Sequence, residues 1–227
     1  MYLLNVPKLI IYLCILMLIG TLTNITLACA TNFSCGQFLP TLNYLGCFRG
    51  HDRVYIVTCT YFACVLAIFF VGAYLRFKTL ASKEMNIIIS GLSFLITVIL
   101  PLVAVTDEVN GVHYLPLETI QVFLANLFTI LSIIWAILAY RVISKSSNAL
   151  NSDETTWLLR LRVLMIYMTI MFVVLLIERQ FCYSAYANSF INETVESVVE
   201  WVLVCGGIIT PIFFAQFFRR YYISFSI

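Results

Sequence analysis

The chain has 227 residues, of which 62% are hydrophobic and 11% charged, and its mean hydropathy is +1.00. Soluble domains average about 45–50% apolar and about 25% charged residues, so a water-soluble enzyme, a disordered protein and a nucleic-acid binder are all disfavoured. The formal net charge of +2 identifies no partner; where the charges fall is more informative.

A membrane-spanning helix needs about 20 apolar residues, and the length accommodates six or seven with no sizeable soluble domain. Long uncharged runs predict six spans, at about 9–28, 54–75, 85–106, 119–140, 161–180 and 198–218, in one transmembrane domain covering 1–227. Barrel strands would instead show segments of about 10 residues alternating in polarity, and these runs are solidly apolar. The expected fold is therefore an all-α, polytopic bundle. The first run has a rival reading, because Lys8, an apolar stretch and Ala28-Cys29-Ala30 imitate a signal peptide with a small-residue cleavage site. We read it as an uncleaved span.

Lys and Arg divide unevenly between the two sides. Lys8, Arg76, Lys78, Lys83, Arg141, Lys145, Arg160, Arg162, Arg219 and Arg220 fall on one side, and only Arg49, Arg53 and Arg179 on the other. The positive-inside rule then makes both termini cytoplasmic, with outside loops at about 29–53, 107–118 and 180–197. Two glycosylation sequons, at Asn32 and Asn192, fall in these loops. A third, at Asn24, lies against the first span and is expected to be unreachable. Cys29, Cys35, Cys47 and Cys182 lie at the outer face, where disulfides are permitted, and the sequence does not choose among their pairings. Cys14, Cys59, Cys64 and Cys205 read as small hydrophobes inside spans. The polar stretch 144–156 reads as a flexible cytoplasmic connection, whereas the short link at 77–84 makes the second and third spans antiparallel neighbours. Tyr222 to Phe225 fits a short tyrosine-based sorting pattern.

No familiar catalytic set, phosphate-cradling glycine loop or metal-ligand spacing is visible, so no cofactor or metal is expected and non-catalytic roles lead. Ionisable groups at membrane depth are functional candidates because burying charge in hydrocarbon is costly. Glu178, Arg179 and Glu200 qualify; Arg179 and Glu200, with Glu196 one turn before Glu200 and with Arg49, His51, Asp52 and Arg53, form a candidate lipid head-group site, the arginines serving as phosphate donors. The rival reading pairs Arg179 with Glu200 or Glu196 across the last hairpin, and a catalytic His51-Asp52 pair is a weaker alternative. Asn86, Thr97, Gln121 and Asn126 are read as hydrogen-bonding between helices. Pro101 and Pro211 are expected to disturb helix bonding, and Gly206-Gly207 to permit close helix approach. The Phe and Tyr residues are read as mostly lipid-facing or interfacial.

The first outside loop, with Pro40 and Gly46, and the last span, with Glu200-Trp201 and the aromatic run Phe213 to Phe218, resemble signatures of the FRAG/DRAM/SFK six-span membrane-protein family. Asn43 stands where serine is commoner in that family. The resemblance implies lipid handling or organisation in GPI-anchor remodelling or autophagy-linked membranes, at endomembranes or the plasma membrane, with membrane lipids as partners. A structural or assembly subunit of a larger membrane complex is the alternative.

Overall fold

A computed structural model describes residues 2–31, 51–105, 115–146, 152–182, 189–218 and 222–225 of the chain. Six long helices account for nearly all of it: α1 (Val6–Thr31), α2 (His51–Leu80), α3 (Lys83–Val105), α4 (Leu115–Lys145), α5 (Ser152–Cys182) and α6 (Ser189–Ala215). Each contains a stretch long and apolar enough to cross a membrane, from 21 residues in α1 to 26 in α2, α4 and α5. At 1.5 Å per residue these stretches reach about 30–40 Å, matching a hydrocarbon core of about 30 Å. The all-α, multi-pass architecture expected from composition is the one observed. Helices suit lipid because every backbone group inside the span bonds within its own segment.

The helix ends carry recognisable chemistry. Oδ1 of Asn5 accepts the amide N–H of Lys8 at 3.1 Å, an N-cap for α1, and Pro7 sits in the first turn where no amide partner is needed. Ser82 caps α3 in the same way, its Oγ accepting the amide of Met85 at 3.3 Å. Asp153 and Glu154 fall in the first turn of α5, where the helix dipole favours negative charge.

Helical structure extends further than the apolar runs suggest. His51 to Arg53 form the first turn of α2, and Asn192 lies within α6 rather than in a loop. The connection expected at 144–156 is likewise shortened, since α4 runs to Lys145 and α5 begins at Ser152. The hydropathy pattern reports the hydrocarbon boundary, whereas the backbone ladder continues into water. Both internal prolines lie within continuous helices; each removes one amide, so the carbonyls of Thr97 and Gly207 lose their usual partner four residues on.

Each helix packs against the next in chain order, and α6 closes against α1, so the six form a ring; α4 and α5 meet most sparingly. An even number of spans brings the two ends together. Tyr2–Asn5 (β1) pairs antiparallel with Tyr222–Phe225 (β2), with Leu3 opposite Ser224. A 3-10 turn at Gln216–Phe218 joins α6 to this ribbon. The termini therefore share one end of the bundle, called here the terminal end; the other is the far end. A Cβ placed on Gly72 would lie 3.4 Å from Val6 Cγ1 and 3.5 Å from Phe218 Cδ2, so α1, α2 and the 3-10 turn meet at one level.

The terminal half of the bundle is packed with aromatic rings. Trp135, 3% exposed, lies 5.3 Å from Phe69, 5.1 Å from Phe70 and 5.2 Å from Phe214 between ring centroids. Phe77 and Phe218 extend the cluster. These rings are buried, which corrects the expectation that the aromatics mostly face lipid or the interface: tilted and edge-on ring pairs contribute specific attraction beyond area burial. Apolar side chains such as Phe94, 68% exposed, and Tyr12, 64% exposed, do cover the outer surface, at no cost against lipid tails.

Candidate functional site

Above the aromatic cluster the ring does not fill. A cavity of about 240 Å³ remains, lined by residues of all six helices. Its wall on α2 runs from Tyr55 to Phe70, roughly 22 Å along the helix. The void is thus long and narrow. Most of the wall is apolar, including Leu66, Phe128, Met165 and Val204.

The helix registers explain where the polar residues fall. Phe69, Trp135 and Phe214 touch one another. Fourteen residues toward the far end from each stand Tyr55, Gln121 and Glu200 respectively, a common rise of roughly 21 Å. Asn24 joins this level, being eighteen residues from Val6, as Glu200 is from Phe218. A polar layer therefore crosses the bundle toward the far end, and Asn24, Tyr55 and Glu200 all line the cavity there. Gln121 and Ser197 are buried near the same level.

The hydrogen bonds divide these groups. Thr21, Thr129, Thr169 and Thr210 donate their hydroxyls to carbonyls four residues back on their own helices, at 2.8–3.0 Å. Asn24 is different: it is 3% exposed, and its Oδ1 is buried without a hydrogen-bond partner. A buried amide oxygen left in this condition costs about 1–3 kcal/mol. Glu200 is half-buried and places a carboxylate in the same wall. Among the described residues no basic side chain lines the cavity, and no cluster of His, Cys, Asp or Glu is arranged to hold a metal.

Gly206 and Gly207 play separate parts. The thioether of Met168 occupies the space a Cβ on Gly206 would need, so Gly206 sets the approach of α5 to α6. Gly207 faces open space and lines the cavity. The Met168–Gly206 contact also fixes the register of this hairpin. Glu196 lies ten residues from Gly206, and Arg179 eleven from Met168. The backbone therefore sets Arg179 level with Glu196, roughly 7 Å beyond Glu200.

Of the sequence candidates, Glu200 is the one whose side chain is seen in the cavity wall, and Trp201 beside it is buried. His51, Asp52 and Arg53 lie on the first turn of α2 within one turn of Tyr55, Glu196 lies on α6 and Arg179 near the end of α5; for these five the backbone alone is described. Pro40, Gly46, Arg49, Asn32, Cys35 and Cys47 lie outside the described residues. Cys182 ends α5 and Asn192 lies in α6, again as backbone alone. Cys29 is disulfide-bonded, while Cys14, Cys59, Cys64 and Cys205 form no disulfide.

Two features escaped the sequence reading. Asn24 was expected to be merely an unreachable sequon, yet it is the buried acceptor of the cavity. Thr97 was expected to bond across helices, yet it donates to Ser93 O on its own helix at 2.8 Å. A cross-helix bond comes instead from Trp135, whose Nε1–H donates to Ser93 Oγ at 2.8 Å. Helical spacing carries a signal for Asn24: Met17, Thr21 and Asn24 recur at four and three residues and share one face.

Fold and site together define an integral, multi-pass membrane protein with an elongated interior chamber and a polar layer at one end. No protein-family model matches the chain, and no curated protein or solved structure is detectably similar to it.

Proposed function

We propose that the protein is a non-catalytic membrane component that handles or organises lipid by holding one hydrocarbon chain inside the bundle. The observation carrying this reading is the shape of the cavity. It is long, narrow and largely apolar, with the amide of Asn24, the phenol of Tyr55 and the carboxylate of Glu200 together at one end. Its wall of roughly 22 Å along α2 is long enough for one extended hydrocarbon chain. The sparing contact between α4 and α5 offers a lateral way in from the bilayer. The motif likeness at Pro40, Gly46 and Glu200-Trp201 favours work in GPI-anchor lipid remodelling or autophagy-linked membranes.

Native mass spectrometry tests this reading on the intact chain, extracted in mild detergent from its own membrane. The expected spectrum shows one lipid per chain, lost when Gly207→Leu fills the cavity. A stable assembly with unrelated subunits and no bound lipid would overturn it and make the chain a structural subunit.

A further inference from the structure

Asn24 makes a specific demand on whatever fills the cavity. It is 3% exposed, it lines the wall, and its Oδ1 has no hydrogen-bond donor among the described residues. Thr21, on the same face of α1, donates its hydroxyl to Met17 O instead. Glu200, at the same level, has a partner of its own, and nothing is asked of it. An amide oxygen accepts, so it needs a donor. An ester or ether head group only accepts and would leave Asn24 as it stands. A hydroxyl carries one O–H donor and meets the need without charge.

The wall also shows where an occupant enters. On α1 and α3 every lining residue is buried, Thr21 and Leu100 among them. On α4 and α5, Thr129, Met165 and Met168 are half-buried and Thr169 is exposed. The cavity therefore reaches the surface between α4 and α5. Thr169 follows Met168, which abuts Gly206, and Gly206 is eight residues from Phe214. The opening thus stands roughly 12 Å from the aromatic floor, about midway along the slot and inside the apolar spans. A head group passing there crosses hydrocarbon, where charge is costly and a neutral hydroxyl is far less so.

Resting on the lipid-chain reading above, we infer that the cavity takes an uncharged single-chain lipid with a hydroxyl head, of the long-chain-alcohol type, its O–H donating to Asn24 Oδ1. Its chain runs down the slot to the aromatic floor, where Phe69, Phe70 and Trp135 close it. Asn24 and that floor stand roughly 21 Å apart along the bundle, so the head and the chain end are held at opposite ends of one slot.

The test is competition binding to the purified full-length chain in detergent. Tritiated hexadecanol is displaced by unlabelled hexadecanol, hexadecyl methyl ether or hexadecylamine, which share one chain and differ at the head. The alcohol should displace at about fivefold lower concentration than the ether, the size of one net hydrogen bond, and at lower concentration than the charged amine. Asn24→Leu keeps the bulk of the side chain and removes its amide. It should weaken the alcohol to the level of the ether and leave ether binding unchanged, which also shows that the variant is folded. The empty variant should unfold no earlier than the parent chain, because a buried acceptor without a donor has been removed. Equal displacement by alcohol and ether, a preference that survives Asn24→Leu, earlier unfolding of that variant, or an amine that outcompetes the alcohol would each overturn the hydroxyl head. If Gly207→Leu still abolishes binding in those cases, the chain-binding reading stands. Failure of every probe to bind would overturn both.

Discussion

Trp135 and Ser93 are joined by a 2.8 Å hydrogen bond from the indole Nε1–H to Oγ, and the Ser93 hydroxyl in turn donates to Ile89 O at 2.8 Å. This two-step relay ties α4 to α3 beside the aromatic floor of the cavity. Ser93→Ala leaves the buried indole N–H without that acceptor and should destabilise the folded chain by about 1–2 kcal/mol. In a Trp135→Phe background the same substitution should cost much less, because no donor remains to be orphaned. A double-mutant cycle of thermal unfolding in detergent measures the difference; equal costs in both backgrounds would contradict the relay.

Gly206 and Gly207 are adjacent and should respond oppositely to alanine. At Gly206 the new methyl meets Met168, so that side chain is displaced, and overpacking of this kind costs about 1–3 kcal/mol. At Gly207 nothing lies within 4 Å of the new methyl, and alanine is the better helix former by about 1 kcal/mol. Unfolding midpoints should fall for Gly206→Ala and hold or rise for Gly207→Ala.

The paired termini supply a geometric test. Leu3 and Ser224 are register partners, and antiparallel partners stand about 4.5–5.5 Å apart between Cα atoms, within disulfide reach. A Leu3→Cys, Ser224→Cys chain should cross-link on mild oxidation, whereas moving the second cysteine to Tyr222, opposite Asn5, should not give an efficient bond.

The excess of Lys and Arg at the terminal end leads us to expect that end in the cytoplasm, with Asn32 and Asn192 facing the lumen. Asn32→Gln and Asn192→Gln should each remove one glycosidase-sensitive step in gel mobility. Asn24→Gln should leave mobility unchanged, since Asn24 is buried in the bundle.

The six spans were legible in sequence because hydrocarbon imposes a length and a composition that few other environments demand. The interior was less legible, and for a physical reason. Inside lipid both faces of a helix are apolar, so hydropathy does not distinguish Phe69, deep in the core, from Phe94, facing outward. Glu200 was visible as a charge at depth; Asn24 was hidden behind its sequon. The level shared by Asn24, Tyr55, Gln121 and Glu200 requires knowing that Phe69, Trp135 and Phe214 touch, and that long-range packing leaves no local trace in the chain.

The measurement that bears most directly on the chamber is photo-crosslinking of the full-length chain with a diazirine-bearing alkyl alcohol, followed by peptide mapping. The account predicts adducts on cavity residues such as Phe128, Met168 and Val204, suppressed by Gly207→Leu. Adducts confined to outward-facing residues such as Phe94 and Leu159, unaffected by that substitution, would contradict it.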